Sequence, residues 1–97
     1  MQEYRNFSKQ LSFDFNDIDA ARYSYITDTI VKNYDLKEAS KLVRGFDEIF
    51  QEFKTDEKVV GLEWDIWSGY MVIAKNTDSE KLARDIANFI NDLPRNH

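Results

Sequence analysis

The chain has 97 residues, of which 42% are hydrophobic and 14% aromatic, and its formal charge is −5. That is length for one domain rather than two, spanning 1–97, with enough apolar mass to pack a core instead of staying disordered. The acidic balance argues against general binding to nucleic-acid phosphates, which needs clustered Lys and Arg.

Residues 1–15 carry two patterns. Tyr4, Phe7 and Leu11 fall at helical spacing, while Leu11, Phe13 and Phe15 alternate with Ser12 and Asp14 as a strand does. A short strand at about 10–15 is the favoured reading, with a helical arm over 2–11 open beside it. Asn16-Asp17 offers a helix start, and Asp17 and Asp19 suit the positive end of a helix dipole. The first helix is expected over about 17–33, with Ile18, Ala21, Tyr25, Ile26, Thr29 and Ile30 as a broad apolar face.

A second helix is expected over about 36–54. Asp35 with Glu38 three residues on gives capping-box spacing. Leu36, Ala39, Leu42, Val43, Phe46, Ile49, Phe50 and Phe53 then repeat at i, i+3, i+4 and i+7 without a miss. Gly45 interrupts it at a cost of about 1 kcal/mol relative to Ala.

The stretch VVGLEWDIWSGYMVIAKN, 59–76, is rich in β-branched and aromatic residues and reads as a β-hairpin, 59–67 with 70–76, turning at Ser68-Gly69. A two-residue turn sets Trp67 opposite Tyr70 and Trp64 opposite Ile73. It puts Leu62, Trp64, Ile66, Met71 and Ile73 inside, and Glu63, Asp65, Trp67, Tyr70, Val72 and Ala74 outside. A three-residue turn would shift the pairing and turn Tyr70 and Val72 inward. The two-residue register is the one preferred on turn statistics.

The third helix is expected over about 78–93. Thr77 and Glu80 are spaced as a capping box, Leu82, Ala83, Ile86, Phe89, Ile90 and Leu93 form its stripe, and Pro94 ends it. Arg95, Asn96 and His97 are expected to fray. The order is then β-α-α-β-β-α, an α+β domain with an antiparallel sheet.

Candidate chemistry is sparse. There is no cysteine, and the single histidine is the last residue, so triads and imidazole or thiolate zinc sites have no donors. The run Asp14 to Asp19 departs from a calcium loop at Ile18 and Tyr25, and helix capping accounts for its acids. Three glycines make no phosphate cradle. Glu63 and Asp65 share a strand face but lack a third ligand or an orienting base in sequence. No catalytic residue, metal or cofactor is expected. No apolar run reaches the roughly 20 residues that span a bilayer, and MQEYRNFSKQ lacks the apolar core of a secretory signal. A cytoplasmic protein without membrane contact is the expectation.

Three functions remain. One is a small acidic protein-binding module, such as an immunity or inhibitor protein that blocks a basic partner, docking through Glu63, Asp65, Trp67 and Tyr70. The alternative is a homo-oligomeric structural or accessory domain, a homodimer pairing through the hairpin edge or helix surface. The last is a carboxylate-based enzyme with a pocket joining Glu63 or Asp65 to a tyrosine.

Overall fold

The computed structural model describes residues 1–95. Asn96 and His97, expected as part of a frayed end, lie outside the described residues. Among the described residues are seven strands, β1 (Gln2–Arg5), β2 (Leu11–Phe15), β3 (Lys37–Glu38), β4 (Val43–Arg44), β5 (Glu48–Thr55), β6 (Lys58–Asp65) and β7 (Gly69–Ala74). Two α-helices accompany them, α1 (Tyr23–Tyr34) and α2 (Glu80–Asn91), each led in by a short 3-10 turn. The strands form one antiparallel sheet in the order β1-β2-β7-β6-β5-β3, with β4 also on β5. The domain is α+β, but the expected order of three helices is wrong.

The error lies in 36–54. No helix forms there; the segment makes β3, β4 and β5. In β5, Ile49, Gln51 and Phe53 point inward with period two. Ile49 and Phe53 are four apart, a spacing that fits one face of either a helix or a strand. The pairing of β5 with β6 over eight residues decides between them, because tertiary context overrides local propensity. Asp35 does not start a helix. It closes α1 in the left-handed conformation, φ 53°, with its N–H bonded to Val31 O. Gly45, read as a helix interruption, lies in the β4–β5 turn.

The N-terminal strand is joined by another, so 1–15 is a hairpin rather than a helical arm. Asn6 organises its turn, its Oδ1 accepting from the N–H of Ser8 and of Gln10, each at 3.0 Å. Arg95 is anchored rather than frayed: its Nε donates to Asp17 Oδ2 at 2.8 Å, and its guanidinium lies 5.6 Å from the Phe15 ring centre. The cap before α2 begins one residue earlier than expected. Asn76 and Ser79 form the reciprocal box in place of Thr77 and Glu80.

Both helices lie on one face of the sheet. Strand alternation supplies that face with Leu11, Phe13, Phe15, Ile49, Phe53, Val60, Leu62, Tyr70, Val72 and Ala74, all buried. Ile26 and Ile30 of α1 and Ala83, Ile86, Ala87 and Ile90 of α2 close over them. Each large side chain buried this way contributes about 1.5–3 kcal/mol before entropy is counted. Tyr25 and Thr29, expected on the buried side of the first helix, are not in its core; Tyr23 and Thr27 take that place. No helix among the described residues is long and apolar enough to cross a membrane.

Candidate functional site

The β6–β7 turn is the three-residue form. Trp64 pairs with Tyr70 and Asp65 with Gly69, leaving Ile66, Trp67 and Ser68 as the loop. Relative to the two-residue register this is an odd shift, so it turns one strand over. Leu62 and Trp64 of β6 face the helices as expected. On β7 the faces are exchanged: Tyr70, Val72 and Ala74 are inside, and Met71 and Ile73 lie on the other face. Ile66, expected inside, is exposed at the turn.

The four proposed contact residues are therefore divided. Tyr70 is 0% exposed. Its hydroxyl lies 2.7 Å from Thr27 Oγ1, its ring is 5.4 Å from that of Tyr23, and burial drives its pKa well up. It contributes nothing to an exterior patch. Trp67 is 79% exposed at the turn tip. Glu63 and Asp65 lie on the sheet face away from the helices, both partly buried.

The sheet register assembles that open face in rows. Gln2, Asp14, Met71, Glu63, Phe50 and Val43 run across it in one row. Tyr4, Ser12, Ile73, Gly61 and Glu52 make the next. Met71 and Ile73 form a buried apolar floor between carboxylates. Tyr4 donates its hydroxyl to Asp14 Oδ1 at 3.0 Å, and Lys75 Nζ sits 3.0 Å from Glu63 Oε2. Burial pushes the Asp14 carboxyl above the ordinary range, the Asp65 charge adds to it, and hydrogen bonds from Tyr4 and Ser68 oppose it. The Tyr4 phenol is pushed up to about 12 by burial, by its bond to Asp14 and by the charges of Asp14, Asp65 and Glu63. All three carboxylates thus act on the Tyr4 phenol, and Asp65 acts on Asp14, across a single face.

One end of the sheet adds apolar tips to this acidic face. Asp65 Oδ1 accepts from the backbone N–H of Trp67 at 2.9 Å and of Ser68 at 2.6 Å, which holds the turn in one shape. Gly69 follows at φ 73°. The neighbouring β4–β5 turn is tied to it by Ile66 N–H to Asp47 O at 3.0 Å. That turn presents Phe46, fully exposed, and Ile66 is itself 58% exposed. Asp14, Tyr4 and Phe46 escaped sequence reasoning. The Asp14–Tyr4 pair needed the N-terminal hairpin, and Phe46 had been assigned to the stripe of a helix that does not form.

The two edges of the 59–76 hairpin, expected to be free for self-pairing, are both occupied, by β5 and by β2. Among the described residues, no group of three or more His, Asp or Glu is arranged to hold a metal ion. The chain matches no protein-family model, no curated protein and no solved structure.

Proposed function

We propose that the chain is an acidic protein-binding module, and that it docks a basic partner through the β4–β5 and β6–β7 turn tips and the adjoining open face. The observation that carries this reading is the exposure of Trp67 and Ile66 on a turn held by Asp65 and bonded to the turn that exposes Phe46. A large aromatic held at a fixed tip loses little entropy on binding and suits a partner's pocket. Asp47, Glu48, Asp65, Glu63 and Asp14 lie around or behind the tips, a charge that steers a basic protein and repels an anionic lipid surface. The role is that of an inhibitor or immunity protein: it covers the partner's surface in the cytoplasm and performs no chemistry of its own.

The test uses the full chain as bait in extract of its host, followed by calorimetric titration of whatever purified partner is retained. The partner is expected to be basic and its affinity to fall with added salt. Trp67→Ala should weaken binding by about 2–4 kcal/mol, yet change folding stability by no more than about 0.5 kcal/mol. A partner held equally well by that variant would end the reading.

A further inference from the structure

The sheet is wider than the helices above it. Helix α2 covers β2 and β7, and α1 lies over β6, with β5 the next strand outward in the sheet. Between α1 and the β3–β4 ribbon this leaves a cleft of about 300 Å3. Val31, Leu36, Leu42 and Phe53 supply its apolar lining, and Asp28 and Glu38 stand in its wall, both exposed.

The polar groups in this cleft are mismatched in one direction. Gln51 is 7% exposed, and its Nε2 donates to Ser40 O at 3.0 Å. That bond fixes the amide's orientation, since the Ser40 carbonyl can only accept. Gln51 Oε1 then meets no donor among the described residues, and it is not sealed from the cleft that Gln51 lines. Asp28 and Glu38 likewise meet no cationic side chain among the described residues. Arg44, on the same side of the sheet, reaches Ser24 Oγ at 3.4 Å instead. The Tyr23 hydroxyl is already engaged as a donor to Leu62 O, and Thr27 is paired with Tyr70. The cleft thus offers acceptors and apolar wall, with the Arg44 guanidinium at its Ser24 edge.

We propose that this cleft binds an alkyl guanidinium or alkyl ammonium group. Gln51 Oε1, Asp28 and Glu38 accept from the cationic head, and Phe53, Leu36 and Val31 receive the stem. A guanidinium suits such a set best, because its planar fork of donors can satisfy an amide oxygen and a carboxylate together. The volume fits a group of this size and lies at the small end of ligand sites. Binding in this cleft is independent of docking at Trp67.

The experiment is an NMR titration of the full chain with agmatine and with N-acetyl-arginine amide, using n-butanol and acetate as controls. Saturable shifts are expected at the Gln51 side-chain amide and along 27–31 and 51–53. The Asp28→Asn, Glu38→Gln double variant should bind at least about tenfold more weakly, a difference of about 1.4 kcal/mol. Both positions are exposed, so the melting temperature should stay put. Agmatine binding without the amide assigns the site to a small free cation, and binding of both assigns it to a site that also takes an arginine side chain. Shifts matched by n-butanol, non-saturating shifts spread over the surface carboxylates, or undiminished binding by the double variant would each overturn the proposal.

Discussion

On the side of the sheet that faces the helices, Glu3 and Arg5 of β1 reach across to α2. Arg84 bonds both oxygens of Glu3 at 2.8 Å, and Arg5 bonds those of Glu80 at 2.6 and 3.1 Å. On the other side, Tyr4 of the same strand meets Asp14, with Asp65 and Glu63 close behind. The carboxylates respond in opposite directions. Hydrogen bonding to the arginines lowers the pKa of Glu3 and of Glu80, whereas burial beside a like charge raises that of Asp14. One face uses charge to fasten a helix over the core. The other pairs Glu63 with Lys75 but leaves Asp14 near the like charge of Asp65, an arrangement that weighs against folding and that a cationic partner would relieve.

The largest expected effect sharpens that comparison directly. Phe13 is fully buried on the covered face, under the Arg84 guanidinium, which lies 5.4 Å from its ring centre. Phe13→Ala should cost about 3–5 kcal/mol in urea unfolding. Phe50, half-buried on the open face, should cost about 1 kcal/mol when changed to Ala, since less surface returns to water. Equal losses at the two positions would mean that the open face is as much a core as the covered one.

How far this division could be read beforehand depended on the segment. Helix α2 has a single period, with Ala83, Ile86 and Ile90 on one side and a capping pair ahead of it, and nothing in its sequence fits a strand. Residues 36–54 fit the helical period equally well but make three strands and the turns between them, with Gln51 inward and Phe46 outward against their polarity. The inward glutamine borders the cleft, and the outward phenylalanine belongs to the proposed docking tips, so local rules failed where the candidate residues lie. The outward placement of Glu63 and Asp65, and of Trp67 beyond them, was legible because it needs only strand alternation up to Asp65. Tyr70 was not, because a one-residue change in loop length decides which way the return strand faces.

Gly69 tests the turn that makes that decision. At φ 73° a side chain is strained, and a Cβ there would run into the Phe15 carbonyl oxygen and come within 2.6 Å of Asn16 Cα. Both obstacles are backbone of the β2 exit, so Gly69→Ala should cost about 1–3 kcal/mol and disturb the Trp67 tip. Gly61, on the open face, offers a matched contrast. Its added Cβ would meet Glu63 Oε2 at 2.5 Å and Lys75 Cε at 2.6 Å, the mobile ends of two long side chains. Gly61→Ala should cost under about 1 kcal/mol while separating that ion pair. Thermal unfolding of the two variants side by side reads the difference, and a harmless Gly69→Ala would refute the three-residue turn.

The smallest effect is the one that reports on the open face itself. Because the folded pKa of Asp14 lies above its unfolded value, its contribution to stability is full below the unfolded pKa. It is lost as pH rises through the folded pKa. Glu3 and Glu80 behave oppositely: their contributions are present above the unfolded pKa and lost as pH falls through the folded one. Asp14→Asn removes the first dependence, leaves the second, and keeps an acceptor for the Tyr4 hydroxyl. The variant's stability relative to the native chain should therefore improve as pH climbs through the carboxylate range, then level off. Urea unfolding at a series of pH values measures it. A difference that is flat, or that grows toward acid, would mean that Tyr4 and Ser68 already satisfy the ionised Asp14. The open face would then hold no excess of negative charge for a partner to relieve.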